Sequence, residues 1–139
     1  MLKTRLLHPE ILRALGEAGY GAQILIADGN YPLSTRTNSA AHRIYLNLAL
    51  GKLTVTDVLR VLVDAISIEA AHVMVSETGD EPNVFAEFRR LLPNVPLQAL
   101  GRFEFYDAAR GPDLAIAIST GEQRLYANLL LTIGVVTPE

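Results

Sequence analysis

The run Leu114-Ala115-Ile116-Ala117-Ile118 is apolar at every position, and no other feature narrows the fold of this chain as much. A strand with one wet face alternates apolar and polar residues, whereas a run with no polar alternate has both faces covered, as parallel strands between helix layers do. Asp113 to Thr120 is therefore read as an inner strand. Ile24-Leu25-Ile26-Ala27, bounded by Gly21 and by Asp28-Gly29-Asn30, reads as a second one that delivers Asp28 to its carboxyl end. A polar loop over Pro32 to Ser39 leads to a further strand near Arg43 to Leu48, and His72-Val73-Met74-Val75 is again strand-like.

Helical periods lie between these runs. Pro9 suits a first helical position, His8 belongs to the helix entry, and Ile11, Leu12 and Leu15 recur at helical spacing until Gly19, which gives a helix to about Ala18. Thr54, with Asp57 three residues on, resembles a capping box ahead of Val55, Val58, Leu59, Leu62 and Ile66. Asp80-Glu81-Pro82 opens a third helix with Arg89 and Arg90 at its negative end, and Pro93 and Pro96 close it. A short segment around Leu97 to Leu100 then precedes a helix over Phe103 to Arg110. This alternation predicts a single-domain α/β/α sandwich with a mostly parallel sheet, spanning residues 1–139.

Composition excludes several function classes. The chain has 139 residues, half of them apolar, and a net charge of −3 with no basic cluster, so neither a nucleic acid nor a membrane surface is an expected partner. No apolar run approaches the roughly 20 residues of a membrane span, and Met1 to Pro9 lacks the apolar core of an export signal, which points to a cytoplasmic protein. With no cysteine there is no thiolate chemistry, and His8, His42 and His72 lack ligand spacing, so no metal is expected. His72, inside an apolar strand, reads as a core or interface histidine. No Walker loop, dinucleotide fingerprint or nucleophile elbow is present.

Three polar clusters interrupt apolar segments. Gly19-Tyr20-Gly21 precedes the strand that ends at Asp28, and that aspartate fits either a turn before Gly29 or a ligand-facing carboxylate at the carboxyl end of a parallel strand. Arg102, Glu104 and Tyr106 fit a solvated helix face or a ligand contact equally. Glu122, Gln123, Arg124, Tyr126 and Asn128 put five hydrogen-bonding side chains into one short stretch after the inner strand, which reads as a binding segment.

The order of these motifs carries a family resemblance. His8-Pro9-Glu10-Ile11-Leu12, Gly19-Tyr20-Gly21, Asp28-Gly29-Asn30-Tyr31-Pro32, Gly101-Arg102-Phe103-Glu104-Phe105-Tyr106 and Thr120-Gly121-Glu122, followed by Tyr126-Ala127-Asn128 and Gly134-Val135, together resemble the ribose pyranase and fucose mutarotase family from about Met1 to Val136. The resemblance implies a ring-type homo-oligomer, typically a decamer of two pentameric rings, with sites near subunit contacts. It also implies cofactor-independent interconversion of the cyclic forms of a free monosaccharide. Asp28 matches the family's active-site aspartate, and Tyr126 and Asn128 match the tyrosine and asparagine lining the sugar pocket. Arg102 and the aromatic residues after it lean toward the L-fucose branch, and Glu69 aligns with an acidic position that makes it a further substrate-binding candidate.

One position departs from the family pattern. Tyr20 stands where relatives carry a histidine acting as general acid or base. Changing anomers needs one group to take a proton from the anomeric hydroxyl while another gives one to the ring oxygen. An imidazole near 6.5 does either at neutral pH, and a phenol near 10 does so poorly. Tyr20, Asp28 and Tyr126 are then the expected catalytic set, with Arg102, Asn128 and Glu69 holding the sugar. The competing expectations are a sugar-binding member with weak or no catalysis because of Tyr20, and an oligomeric structural or regulatory protein with a vestigial pocket.

Overall fold

A computed structural model describes residues 1–139. Its elements follow the order α1 (Pro9–Glu17), β1 (Gln23–Ala27), β2 (His42–Tyr45), α2 (Val55–Leu62), β3 (Ile68–Val75), α3 (Val84–Leu91), β4 (Leu97–Gly101), α4 (Arg102–Ala109), β5 (Leu114–Ser119) and β6 (Leu129–Ile133). The helix starts follow from local chemistry. Pro9 is the first residue of α1, and the His8 ring accepts the N–H of Ile11 at 3.3 Å. Thr54 and Asp57 form the expected capping box on α2, each side chain accepting the other's backbone N–H, at 3.1 and 3.0 Å. Asp80-Glu81-Pro82 lies just ahead of α3 rather than within its first turn, and Glu81 is tied to the helix by an ion pair with Arg89.

The six strands form one sheet in the order β2-β5-β1-β6-β3-β4. β5 is parallel to β1 and β2, and β3 is parallel to β4. β6 runs antiparallel to both β1 and β3, so the mostly parallel sheet expected from the sequence carries one reversed strand in its interior. The cause is chain length: a parallel return needs a crossover of a dozen or more residues, and only residues 120–128 separate β5 from β6. The five co-directional strands place their carboxyl ends along one edge of the sheet.

Helices cover both faces. Ile24, Ile26, Ile116, Ile118, Leu129 and Leu131 pack against α1, α2 and α3. On the other face Leu25, Ala117, Leu130 and Met74 pack against Phe105 and Ala109 of α4 and against Tyr31 and Leu33 of the polar loop. The inner-strand reading of β5 holds, because Ile116, Ala117 and Ile118 are fully buried. No helix is long and apolar enough to cross a membrane.

Candidate functional site

The carboxyl edge gathers most of the chemistry. Asp28 is the first residue after β1, and Asn128 is the last before β6, so the antiparallel pairing of these two strands brings the two side chains together. The backbone N–H of Asp28 donates to Asn128 Oδ1 at 2.8 Å, and Asn128 Nδ2 donates to Asp28 Oδ2 at 3.2 Å. Asp28 Oδ1 accepts the N–H groups of Asn30 and Tyr31 at 3.0 and 2.9 Å, closing the Asx turn that the Asp28-Gly29 pair suggested. Asp28 is 4% exposed and no cation is paired with it. Burial pushes its carboxyl above the usual aspartate range, and the donors from Asn30, Tyr31 and Asn128 offset only part of that rise. A carboxyl tuned upward in this way suits proton transfer nearer neutral pH.

Asp28 and Asn128 line a cavity of about 290 Å³ with Tyr31, Met74, Arg102 and Tyr126. That is the lower end of the usual range for small-ligand sites. Arg102 is the first residue of α4; its Nε donates to the Tyr106 hydroxyl at 3.2 Å, and its guanidinium lies over the Phe103 and Tyr106 rings at 5.2 and 5.6 Å. It has no carboxylate partner in the chain, so its remaining donors stay available. Tyr126 is the only non-glycine residue with a left-handed backbone, at φ +60°. That conformation costs of order 1 kcal/mol.

The presumed binding segment divides into two parts. Glu122 and Arg124 anchor it: Glu122 Oε1 accepts Arg124 Nε at 2.9 Å, Oε2 accepts Arg124 Nη2 at 2.8 Å, and Oε2 also accepts the N–H of Val55 at 3.2 Å. Arg124 further pairs with Glu87 of α3. Thr120 Oγ1 donates to the carbonyl of Ala27, and Gly121 lies so close to Lys52 and Ala49 that an added Cβ would sit 2.1 Å from a carbonyl oxygen. Tyr126 and Asn128, at the far end of the segment, face the cavity.

Two expected site residues are elsewhere in the chain. Tyr20 precedes β1, a strand about 16 Å long at the usual rise per residue, while Asp28 follows it. Gly21 donates to the carbonyl of Ile133 at the amino edge, and the Tyr20 side chain is 69% exposed there. Glu69, near the start of β3, shares that edge, next to Gly134. Sequence reasoning did not pick out Tyr31 or Met74 as lining residues. Tyr31 was reachable, since an Asx turn at Asp28 brings its backbone onto the carboxylate, but nothing in the sequence marks Met74. His72 sits half-buried in β3, and its Nδ1 has no hydrogen-bond partner within the chain. No group of three histidine or carboxylate side chains converges as metal ligands would.

A small cavity at the carboxyl ends of parallel strands, with a buried carboxyl that has no ion-pair partner in its wall, lies where α/β proteins bind small ligands. The profile of the RbsD / FucU transport protein family matches residues 1–136, and the chain belongs to that family. It is 34% identical over 142 residues to a fucose mutarotase of Homo sapiens, covering 94% of this chain and 90% of the relative. It is 29% identical over 137 residues to a D-ribose pyranase of Chloroflexus aggregans, covering 98% and 99%. Among solved structures, the fucose mutarotase of Streptococcus pneumoniae in complex with L-fucose superposes with a TM-score of 0.84 at 25% identity, covering 98% of this chain and all of that one.

Proposed function

We propose that this chain is a monosaccharide mutarotase acting on a free sugar of the L-fucose type. The observation that carries the reading is Asp28, a buried carboxyl with no ion-pair partner, held by neutral donors in the wall of a sugar-sized cavity. The Asp28 carboxylate takes the proton of the anomeric hydroxyl; the electrons of that O–H bond form the C=O as the bond from the anomeric carbon to the ring oxygen breaks. The ring oxygen keeps that electron pair and receives a proton from the Tyr126 phenol or a water. The open aldehyde rotates and recloses on its other face, and both protons return. Arg102 supplies donors to the sugar hydroxyls. No cofactor takes part in these steps.

Tyr20 and Glu69 reach such a cavity only from a second copy, amino edge against carboxyl edge. Exposed Tyr20, Val135 and Val136 at one edge and exposed Phe103 and Leu125 at the other give that contact apolar material. Two different patches in contact make a head-to-tail interface, the kind from which rings are built when the rotation between copies closes. A homo-oligomeric ring, ten chains in two pentamers, is the assembly proposed. Light scattering behind size exclusion checks it, and a monomer at micromolar concentration would count against it.

The second reading is a sugar-binding member with little catalysis, favoured by the phenol at position 20. Exchange NMR on L-fucose, D-ribose and D-galactose separates the two: accelerated anomer exchange, highest for L-fucose, supports the enzyme, and binding without acceleration supports the binder. Tyr20→His should raise exchange toward neutral pH and add a titration near 6–7, because imidazole supplies a group matched to that range.

A further inference from the structure

We infer that Met74 is a specificity-determining residue: it is the apolar wall that receives the methyl group of a deoxysugar such as L-fucose and disfavours the hydroxymethyl group that the parent hexose carries at the same place. Met74 is the second-last residue of β3, which brings it to the carboxyl edge, and it is buried in the wall of the cavity that holds Asp28 and Asn128. Its side chain lies on the α4 face of the sheet, packed with Leu130 and Phe105. Its sulfur lies 4.0 Å from the Asn128 amide nitrogen, a long contact to a weak acceptor.

The rest of the lining sorts into polar and apolar parts. Asp28, Asn128, Arg102 and Tyr126 offer hydrogen-bonding groups to sugar hydroxyls. Tyr31 and Tyr106 present mainly ring surface, since the Tyr31 hydroxyl donates to the carbonyl of Arg36 at 3.0 Å and the Tyr106 oxygen accepts Arg102 Nε at 3.2 Å. Leu125 is apolar but exposed at the rim, where a hydroxyl keeps its water. Met74 is the buried aliphatic side chain of the lining. A hydroxyl set against it gives up water and gains no good partner, whereas a methyl group has no such loss. The inference rests on the mutarotase reading for where the sugar lies. With the anomeric hydroxyl at Asp28 and the ring oxygen beside Tyr126, the exocyclic carbon, attached next to the ring oxygen, stays at the reacting end of the ring. Met74 flanks that end, because it touches Asn128, which is bonded to Asp28.

The chain has only two methionines, Met1 and Met74, so labelling methionine methyl groups with carbon-13 gives two NMR signals, and Met1 is the internal control. L-galactose is L-fucose with a hydroxyl added to the methyl group, and D-arabinose is L-fucose without that methyl group, the rings being otherwise the same. In the unmodified full-length protein L-fucose should shift the Met74 signal and give a nuclear Overhauser contact between the Met74 and sugar methyl groups, while D-arabinose should shift it much less. The Kd of each of the other two sugars should be about tenfold or more above that of L-fucose, as one methyl group or one misplaced hydroxyl commands in an apolar pocket. Met74→Gln, close in size but with an amide in place of the thioether, should cut the preference for L-fucose over L-galactose about tenfold and leave the Kd of D-arabinose within about threefold. Met74→Leu should keep the preference within about threefold. A missing methyl contact with L-fucose bound, a Met74 signal moved as far by D-arabinose, or an unchanged preference in folded Met74→Gln would each overturn the inference. If the contact and the preferences are as stated but no form accelerates anomer exchange, the methyl wall stands and the mutarotase reading falls. Exchange accelerated equally for all three sugars would leave the mutarotase reading and remove the methyl wall, and failure of all three to bind would overturn both.

Discussion

Asp28 and Glu122 follow neighbouring strands, stand at the same edge of the sheet and are equally hidden from water, at 4% and 3% exposure, yet their surroundings push their pKa values in opposite directions. Burial raises both. Glu122 has the Arg124 guanidinium clamped across both oxygens, and those bonds bring it net below the ordinary glutamate range. Asp28 has only neutral donors, and burial wins. A buried carboxylate with a cation is an anchor, whereas one with amides alone remains available to take and release a proton. The two regions touch, the N–H of Gly29 donating to the carbonyl of Glu122 at 2.9 Å, so the anchor holds the turn that carries Asp28.

Arg124→Met is the strongest way to break the anchor half of the contrast. It leaves Glu122 buried without its cation, and because the Arg124 side chain is 40% exposed the loss sits at the low end for such pairs, about 2–3 kcal/mol by urea unfolding. Gly121→Ala should cost about 1–3 kcal/mol, since its Cβ would collide with backbone carbonyls of Lys52 and Ala49 that cannot swing away. Tyr126→Gly sharpens the other half: relief of the left-handed backbone offsets the lost ring packing, so stability should change by no more than about 1 kcal/mol while exchange falls about tenfold.

The smallest expected effect is in the pH dependence of stability. The folded pKa of Glu122 is lowered, so its contribution is present above the ordinary carboxylate range and is lost as pH falls through the folded value. The folded pKa of Asp28 is raised, so ionising it subtracts stability as pH rises from the ordinary value through the raised one. Thermal melts over about pH 3 to 8 should therefore lose acid sensitivity in Glu122→Gln and lose the decline on the alkaline side of the carboxylate range in Asp28→Asn.

Much of this contrast is legible in the sequence. Pro9 and the Thr54/Asp57 pair mark helix starts because capping is local chemistry, and Asp28 is marked by its place after an apolar run. β6 is not, since its antiparallel slot between β1 and β3 depends on distant partners. Arg124 could be seen as polar but not as Glu122's clamp, because the side-chain direction is set by the turn. Tyr20 joins the expected set through family resemblance alone; within one chain the length of β1 keeps it from Asp28.

The central claim is that Asp28 moves the proton in the proposed reaction, and anomer-exchange NMR on L-fucose with the unmodified protein and Asp28→Asn side by side tests it most directly. The expected result is accelerated exchange by the unmodified protein and a loss of about 100-fold or more in Asp28→Asn, with L-fucose still bound. Equal exchange in the two, both folded and both binding the sugar, would contradict it.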